Sequence, residues 1–136
     1  ETMHDRISSA MDAGASAVTL SDTLPGLSVN AETGQVNLNG SYGYSGPGIK
    51  PLVQSAIYEL RKSGFENEIS GTGGASNETD IVEYMSVGAN TVQIYTALHS
   101  KTFQTLERIV TGLDKWFDDR ELSATDVLNQ SFKLER

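Results

Sequence analysis

Apolar and polar positions switch between two periods along the chain, and the switches predict its elements. Met3, Ile7, Ala10 and Met11 recur at helical spacing, with Gly14 placed to end the helix. Ala15–Leu20 then turns β-like, most strongly over Ala17–Leu20, and closes in Ser21-Asp22-Thr23. A second helix is predicted from Ile49 or Pro51 to Lys62. Pro51 suits its first turn, Leu52, Ala56, Ile57 and Leu60 form one apolar stripe, and Gly64 stops it. Asn67–Ser70 reads as a strand that breaks into Gly71-Thr72-Gly73-Gly74. Asn77, three positions before Asp80, is set to cap a helix whose Ile81, Val82, Tyr84 and Met85 face inward. Gly88-Ala89 closes that helix and a strand over Thr91–Tyr95 follows. The last long helix, Thr102–Phe117, is expected to carry Phe103, Leu106, Ile109, Val110, Leu113 and Trp116 to the core. Ser123 then caps a short helix through Leu128.

A weak internal repeat supports successive α/β units. A-G-A-S-A-V-T-L at Ala13–Leu20 and V-G-A-N-T-V-Q-I at Val87–Ile94 both run from a helix end through Gly-Ala into a β-branched strand. Strands alternating with helices imply a parallel sheet with right-handed crossovers. Only three strong strands are legible, so sheet edges and an apolar inner face are expected to be exposed. Between Leu24 and Pro47 the chain is rich in Gly, Asn and Ser. Leu27–Val29 and Val36–Leu38 are predicted to pair across Glu32-Thr33-Gly34, and residues 40–48 form a long aromatic- and glycine-containing loop suited to face a ligand.

Charge and composition narrow the class. The 136 residues carry a net charge of −8, which argues against nucleic acid or anionic membrane as a partner. There is no Cys, hence neither a disulfide framework nor a thiolate metal site, and the two His residues show no ligand spacing. No run approaches the roughly 18 apolar residues of a membrane span, and Glu1–Asp5 does not read as a secretory signal. The expectation is an acidic cytoplasmic protein. No linker or low-complexity tract marks a second domain, so residues 1–136 are expected to form a single segment.

In parallel α/β folds ligands gather at the carboxyl ends of strands. Here those ends are Ser21-Asp22-Thr23, Gly71–Gly74 and Tyr95-Thr96, polar and glycine-rich where the opposite ends are bland. A glycine loop leading into a helix can cradle a phosphate with backbone N–H groups, aided by the helix's N-terminus. A lone G-x-G-G also serves as a bare turn, but the neighbouring Tyr95-Thr96 loop favours a shared phosphate. Ser45-Gly46-Pro47-Gly48 suits either a loop before a helix or backbone lying against a flat ligand. Asp22 stands at a strand end with no second acid at fixed spacing. His99 could cap or touch a ligand and His4 is expected in solvent; Lys50 could meet a phosphate but reads rather as a first-turn surface residue.

Taken in order, these segments resemble the carboxyl-terminal half of the dihydroorotate dehydrogenases, especially the class 1 enzymes. Asp22-Thr23-Leu24-Pro25-Gly26-Leu27 is similar to the family's Asn-Thr/Ser segment. Gly43–Pro51 is similar to its G-x-S-G-P-x-x-K-P block, and Gly71–Gly74 and Val92–Leu98 resemble its last two strand ends. The resemblance implies the last three βα units of a TIM (β/α)8 barrel, with parallel strands, outer helices and flavin mononucleotide (FMN) at the strands' carboxyl ends. It implies that Gly73, Gly74, Tyr95 and Thr96 hold the flavin's phosphate, that Gly46 lies along the flavin, and that Asp22 and Thr23 reach a dihydroorotate-like substrate. The family's catalytic base and flavin-facing lysine belong to the other half, so no catalytic residue is expected in this chain. A whole barrel needs about 250 residues. The expected partner is therefore an amino-terminal half, or a second copy of the chain. Two positions depart from the pattern: Asp22 replaces an Asn that both donates and accepts hydrogen bonds, and Tyr95 stands where Gly is common. A non-catalytic phosphate- or flavin-binding module derived from the family is the alternative.

Overall fold

The computed structural model describes residues 2–99 and 102–133, so Glu1 of the opening run lies outside them. Helix α1, Met3–Asp12, begins at a reciprocal cap in which the Thr2 side chain accepts from the Asp5 N–H while Asp5 accepts from the Thr2 N–H. Strand β1, Ala17–Leu20, falls where the hydrophobic pattern predicts. It is followed by β2, Leu24–Gly26, and β3, Tyr42–Tyr44. Then come α2 (Lys50–Lys62), β4 (Glu68–Thr72), α3 (Glu78–Ser86), β5 (Thr91–Gln93) and α4 (Thr102–Asp118). Two single-turn helices, α5 (Ala124–Val127) and α6 (Gln130–Lys133), complete the described chain.

The strands β1, β4 and β5 form one parallel sheet in that order, with Leu20 opposite Gly71 and Gly71 opposite Val92. The helices α2 and α3 are the crossovers, and the core lies between them and the sheet. Ile57, Ile69, Tyr84 and Ala89 are fully buried there, joined by Ile49, Val53 and Leu60. At Gly71 a Cβ would come within 2.7 Å of the Tyr84 ring, so only glycine lets the strand lie this close to α3. This is an α/β fold with parallel strands and covering helices, the architecture of part of a TIM barrel.

The sheet's other face departs from expectation, being polar rather than apolar. Gln93 donates from Nε2 to Ser70 Oγ at 2.9 Å and to Thr19 Oγ1 at 3.4 Å across all three strands. Strand alternation is the cause: Ile69 and Gly71 point to the helices, leaving Ser70 and Thr72 on the open side.

Other boundaries shift for local reasons. Gly71 belongs to β4, so the glycine loop shortens to Gly73-Gly74. The strand predicted to reach Tyr95 stops at Gln93, and Thr96–Leu98 makes a single 3-10 turn. The expected pairing of 27–29 with 36–38 reduces to one bridge, Val29 to Val36, while the antiparallel ribbon forms from β2 and from β3, which lies inside the supposed loop. On α2 the buried stripe is Val53, Ile57 and Leu60, with Leu52 exposed. Among the described side chains of α4 only Ile109 is buried; Phe103, Leu106 and Val110 are exposed. Val110 and Phe103 lie roughly a quarter to a third of a turn around the helix from Ile109, beyond the stripe that a single neighbour covers, and Leu106 sits at that stripe's edge.

At the amino ends of the strands, the Arg61 guanidinium donates to the carbonyls of Gly88, Phe65 and Asn67 and to Asn90 Oδ1. Burial pushes its pKa below the ordinary guanidinium value. Asn90 Oδ1 also accepts the Ile69 N–H, so this end of the sheet is bolted while the other stays open.

Candidate functional site

At the carboxyl ends of the strands lies a cavity of about 530 Å³. The end of β1 contributes Thr19, Ser21, Asp22 and Thr23, and the loop before α2 contributes Ser45 and Ile49. The end of β4 contributes Thr72 through Ala75, and β5 and its turn contribute Gln93, Tyr95 and Thr96. Segments far apart in sequence converge because parallel strands end together. The Ser21 N–H donates to the Thr72 carbonyl at 3.0 Å, extending the ladder one step past β1.

Of the residues singled out from sequence, Asp22, Thr23, Gly73, Gly74, Tyr95 and Thr96 all line this cavity. Gly46 lies against them: a Cβ on Gly74 would come within 2.6 Å of the Gly46 carbonyl oxygen. Gly74 also has φ +76°, so two independent constraints require glycine there. The Ser45 and Thr96 hydroxyls lie 3.0 Å apart and tie the loop before α2 to the turn after β5. His99 does not line the cavity; its ring meets Tyr95 edge-on with centroids 4.8 Å apart.

Backbone donors are available at this end. No hydrogen bond within the described residues takes up the N–H of Gly74, Ala75 or Thr96. The first turn of α3, by contrast, is capped within the protein. Asn77 Oδ1 accepts the Asp80 N–H, and Glu78 and Asp80 both stand in that turn. Its own carboxylates therefore offset the helix's positive end, which leaves the strand-end loops as the better place for an anion.

Asp22 is exposed, and its Oδ1 accepts the Thr23 N–H at 2.6 Å. The Ser21 hydroxyl donates to the Asp22 carbonyl at 2.9 Å. Among the described residues no Lys, Arg or His lines the cavity, so Asp22 is its one carboxylate in otherwise neutral surroundings.

A family model described as dihydroorotate dehydrogenase matches residues 2–117. The chain belongs to the dihydroorotate dehydrogenase family. Relatives named dihydroorotate dehydrogenase B (NAD(+)), catalytic subunit, include proteins of Methanopyrus kandleri and Pyrococcus furiosus. The first is 41% identical over 76% of this chain and 33% of its own length. The second is 34% identical over 85% of this chain and 38% of its own length. A protein of the same name from Archaeoglobus fulgidus is 39% identical over 71% of this chain and 33% of its own length. The chain thus spans between a third and two fifths of these relatives.

Residues behind the cavity brace its walls through contacts that sequence reading missed. Lys50, read as a surface residue, has a side chain only 22% exposed. Its Nζ reaches Asp80 Oδ1 at 2.5 Å and Glu83 Oε2 at 2.7 Å. Burial disfavours the Lys50 charge, but hydrogen bonds to Asp80 and Glu83 outweigh it and hold the pKa above 10.5. Burial likewise works against the Asp80 carboxylate, yet Lys50 and the Ser76 N–H and hydroxyl keep its pKa below 3.8. Tyr84 donates its hydroxyl to the Gly73 carbonyl at 2.5 Å, and burial pushes its pKa up to about 12. The signal was present in the three-residue spacing of Asp80 and Glu83, which puts both carboxylates on one face of α3. Gln93 was missed too, because its place on the open face follows from strand phase alone.

Proposed function

We propose that this chain supplies the flavin-phosphate end of an FMN-dependent oxidoreductase that acts on a dihydropyrimidine of the dihydroorotate type. The observation that carries the reading is the meeting of Gly73–Ala75 with Tyr95–Thr96 around one cavity, with three backbone N–H groups that no described residue takes up. A phosphate suits such a place, because backbone donors at positive-φ glycines form a concave cradle without any cationic side chain. Gly73, Gly74, Tyr95 and Thr96 hold the phosphate in this reading, and Gly46 lets backbone lie along the flavin. Asp22 and Thr23 orient the substrate at the β1 end. When bound, FMN supplies a ring that accepts hydride from the substrate.

No residue of this chain is assigned the base. The chain spans only part of its relatives, so turnover requires the remainder of the barrel, supplied by an amino-terminal portion or a further chain. The relatives' names mark them as catalytic subunits of NAD(+)-linked enzymes, which extends the proposal to NAD(+) as final acceptor in a cytoplasmic assembly. The acidic Asp22 favours a second reading, a module that binds flavin without oxidising dihydroorotate.

The test is to combine the chain with the amino-terminal portion of the Methanopyrus kandleri relative and titrate FMN, following flavin absorbance and fluorescence. A stoichiometric yellow complex is expected, and its absence overturns the reading. Adding dihydroorotate and, separately, dihydrouracil then separates the two alternatives, since only the oxidoreductase lets either one bleach the flavin.

A further inference from the structure

We infer that Asp22 sets the charge of the substrate this cavity accepts, selecting a ring that offers N–H donors and carries no carboxylate beside it. The inference rests on the flavin-site reading and narrows its substrate. Asp22 is the one carboxylate on the lining, and its Oδ1 is already engaged by the Thr23 N–H. Its other oxygen has no partner among the described residues, so it remains an acceptor for a ligand. A carboxylate accepts hydrogen bonds and cannot donate them, which pairs it with ring N–H groups rather than with carbonyl or carboxylate oxygens.

Nothing on this side of the cavity offsets a second negative charge. The remaining lining side chains are hydroxyls, a carboxamide, a phenol and small apolar groups. The nearest lysine by element, Lys50 at the start of α2, is held by Asp80 and Glu83. The chain as a whole carries −8. An anionic group brought within a few ångströms of Asp22 is therefore repelled with little screening by protein charge. Against water and salt that repulsion still amounts to roughly tenfold or more in affinity. The phosphate cradle is exempt, because Gly74, Ala75 and Thr96 meet their ligand with backbone N–H groups at the ends of the other two strands.

The experiment measures binding of FMN, uracil and orotate by isothermal titration to the chain combined with the amino-terminal portion of the Methanopyrus kandleri relative, in the wild type and in Asp22→Asn and Asp22→Ala. Uracil and orotate share a ring and differ by one carboxylate. Wild type is expected to favour uracil by about tenfold or more, and the margin is expected to shrink as ionic strength rises. Both variants are expected to gain about tenfold or more for orotate while FMN affinity stays within about twofold. Asp22→Ala separates charge from the new amide's hydrogen bonds, since it removes the first without adding the second. Orotate binding wild type as tightly as the variants, with FMN still bound, overturns the inference alone. Discrimination between the pyrimidines without any FMN binding overturns the flavin reading alone, and binding of none of the three overturns both.

Discussion

The Lys50 ammonium and the Asp80 carboxylate meet at 2.5 Å across the gap between α2 and α3, and Asp80's second oxygen holds the Ser76 N–H. One carboxylate thereby fixes the start of α2, the start of α3 and the loop that runs down from Gly74. Replacing Asp80 with Ala leaves a partly buried ammonium and an unpaired Ser76 N–H. Glu83 still pairs with the ammonium, so the expected loss is about 2 kcal/mol in urea unfolding. The pH dependence has a definite sign. Asp80's pKa is depressed below 3.8, so its contribution is complete above that value and disappears as pH falls through the depressed pKa. Unfolding midpoints measured as pH falls from about 5 to about 2 should drop more steeply for wild type than for Asp80→Asn.

Gly74→Ala is expected to disrupt the cradle itself. The new Cβ would stand 2.6 Å from the Gly46 carbonyl oxygen, in a backbone with φ +76°. A left-handed residue costs about 1–2 kcal/mol before any clash is counted, and the Gly46 backbone must also move. Thermal unfolding should show a loss of about 2 kcal/mol or more, and phosphate or FMN binding should weaken by more than that loss alone implies.

Much of this was legible in the chain, because local chemistry and tertiary packing agree at the strand ends. The span of β1, the Asn77 cap and the meeting of Asp22, Gly73 and Thr96 all follow from patterns that read the same locally and globally. What failed depends on partners distant in sequence. The phase of α2's buried stripe is decided by the sheet, so Leu52 and Val53 cannot be ranked by hydrophobicity. The β2–β3 ribbon was hidden because Pro25, Gly26 and Gly43 are poor strand formers, paired here by tertiary context. Lys50 looked solvated because its acceptors lie thirty residues away on another helix.

The two apolar stripes of α4 should respond differently to mutation. Ile109 is buried against the core, so Ile109→Ala should cost about 2–4 kcal/mol. Phe103 is 84% exposed, so Phe103→Ser should leave the chain's own stability within about 0.5 kcal/mol. If α4's outer stripe packs on the remaining barrel, the same Phe103→Ser change should weaken reconstitution with the relative's amino-terminal portion. Denaturant unfolding of the two variants, followed by pull-down of that portion, checks both halves.

Tyr84 links the packing of α3 to the geometry of the glycine loop, through its hydroxyl on the Gly73 carbonyl. Tyr84→Phe keeps the ring against Gly71 and removes only that bond, so the expected cost is about 1–2 kcal/mol, with the carbonyl left without its donor. Burial raises the phenol's pKa to about 12, above its ordinary 10.0. The folded state therefore holds this proton more tightly than the unfolded chain. Its contribution is complete below pH 10 and is lost as pH rises toward 12. In a spectrophotometric titration of tyrosinate, the wild type should show one phenol that ionises last, together with unfolding. Tyr84→Phe should lack that step and should bind FMN more weakly, because Gly73 is freed to turn its peptide. Unchanged FMN affinity in a folded Tyr84→Phe variant would show that the loop holds its shape without the tyrosine, leaving Gly46 and the Ser45–Thr96 contact to position it.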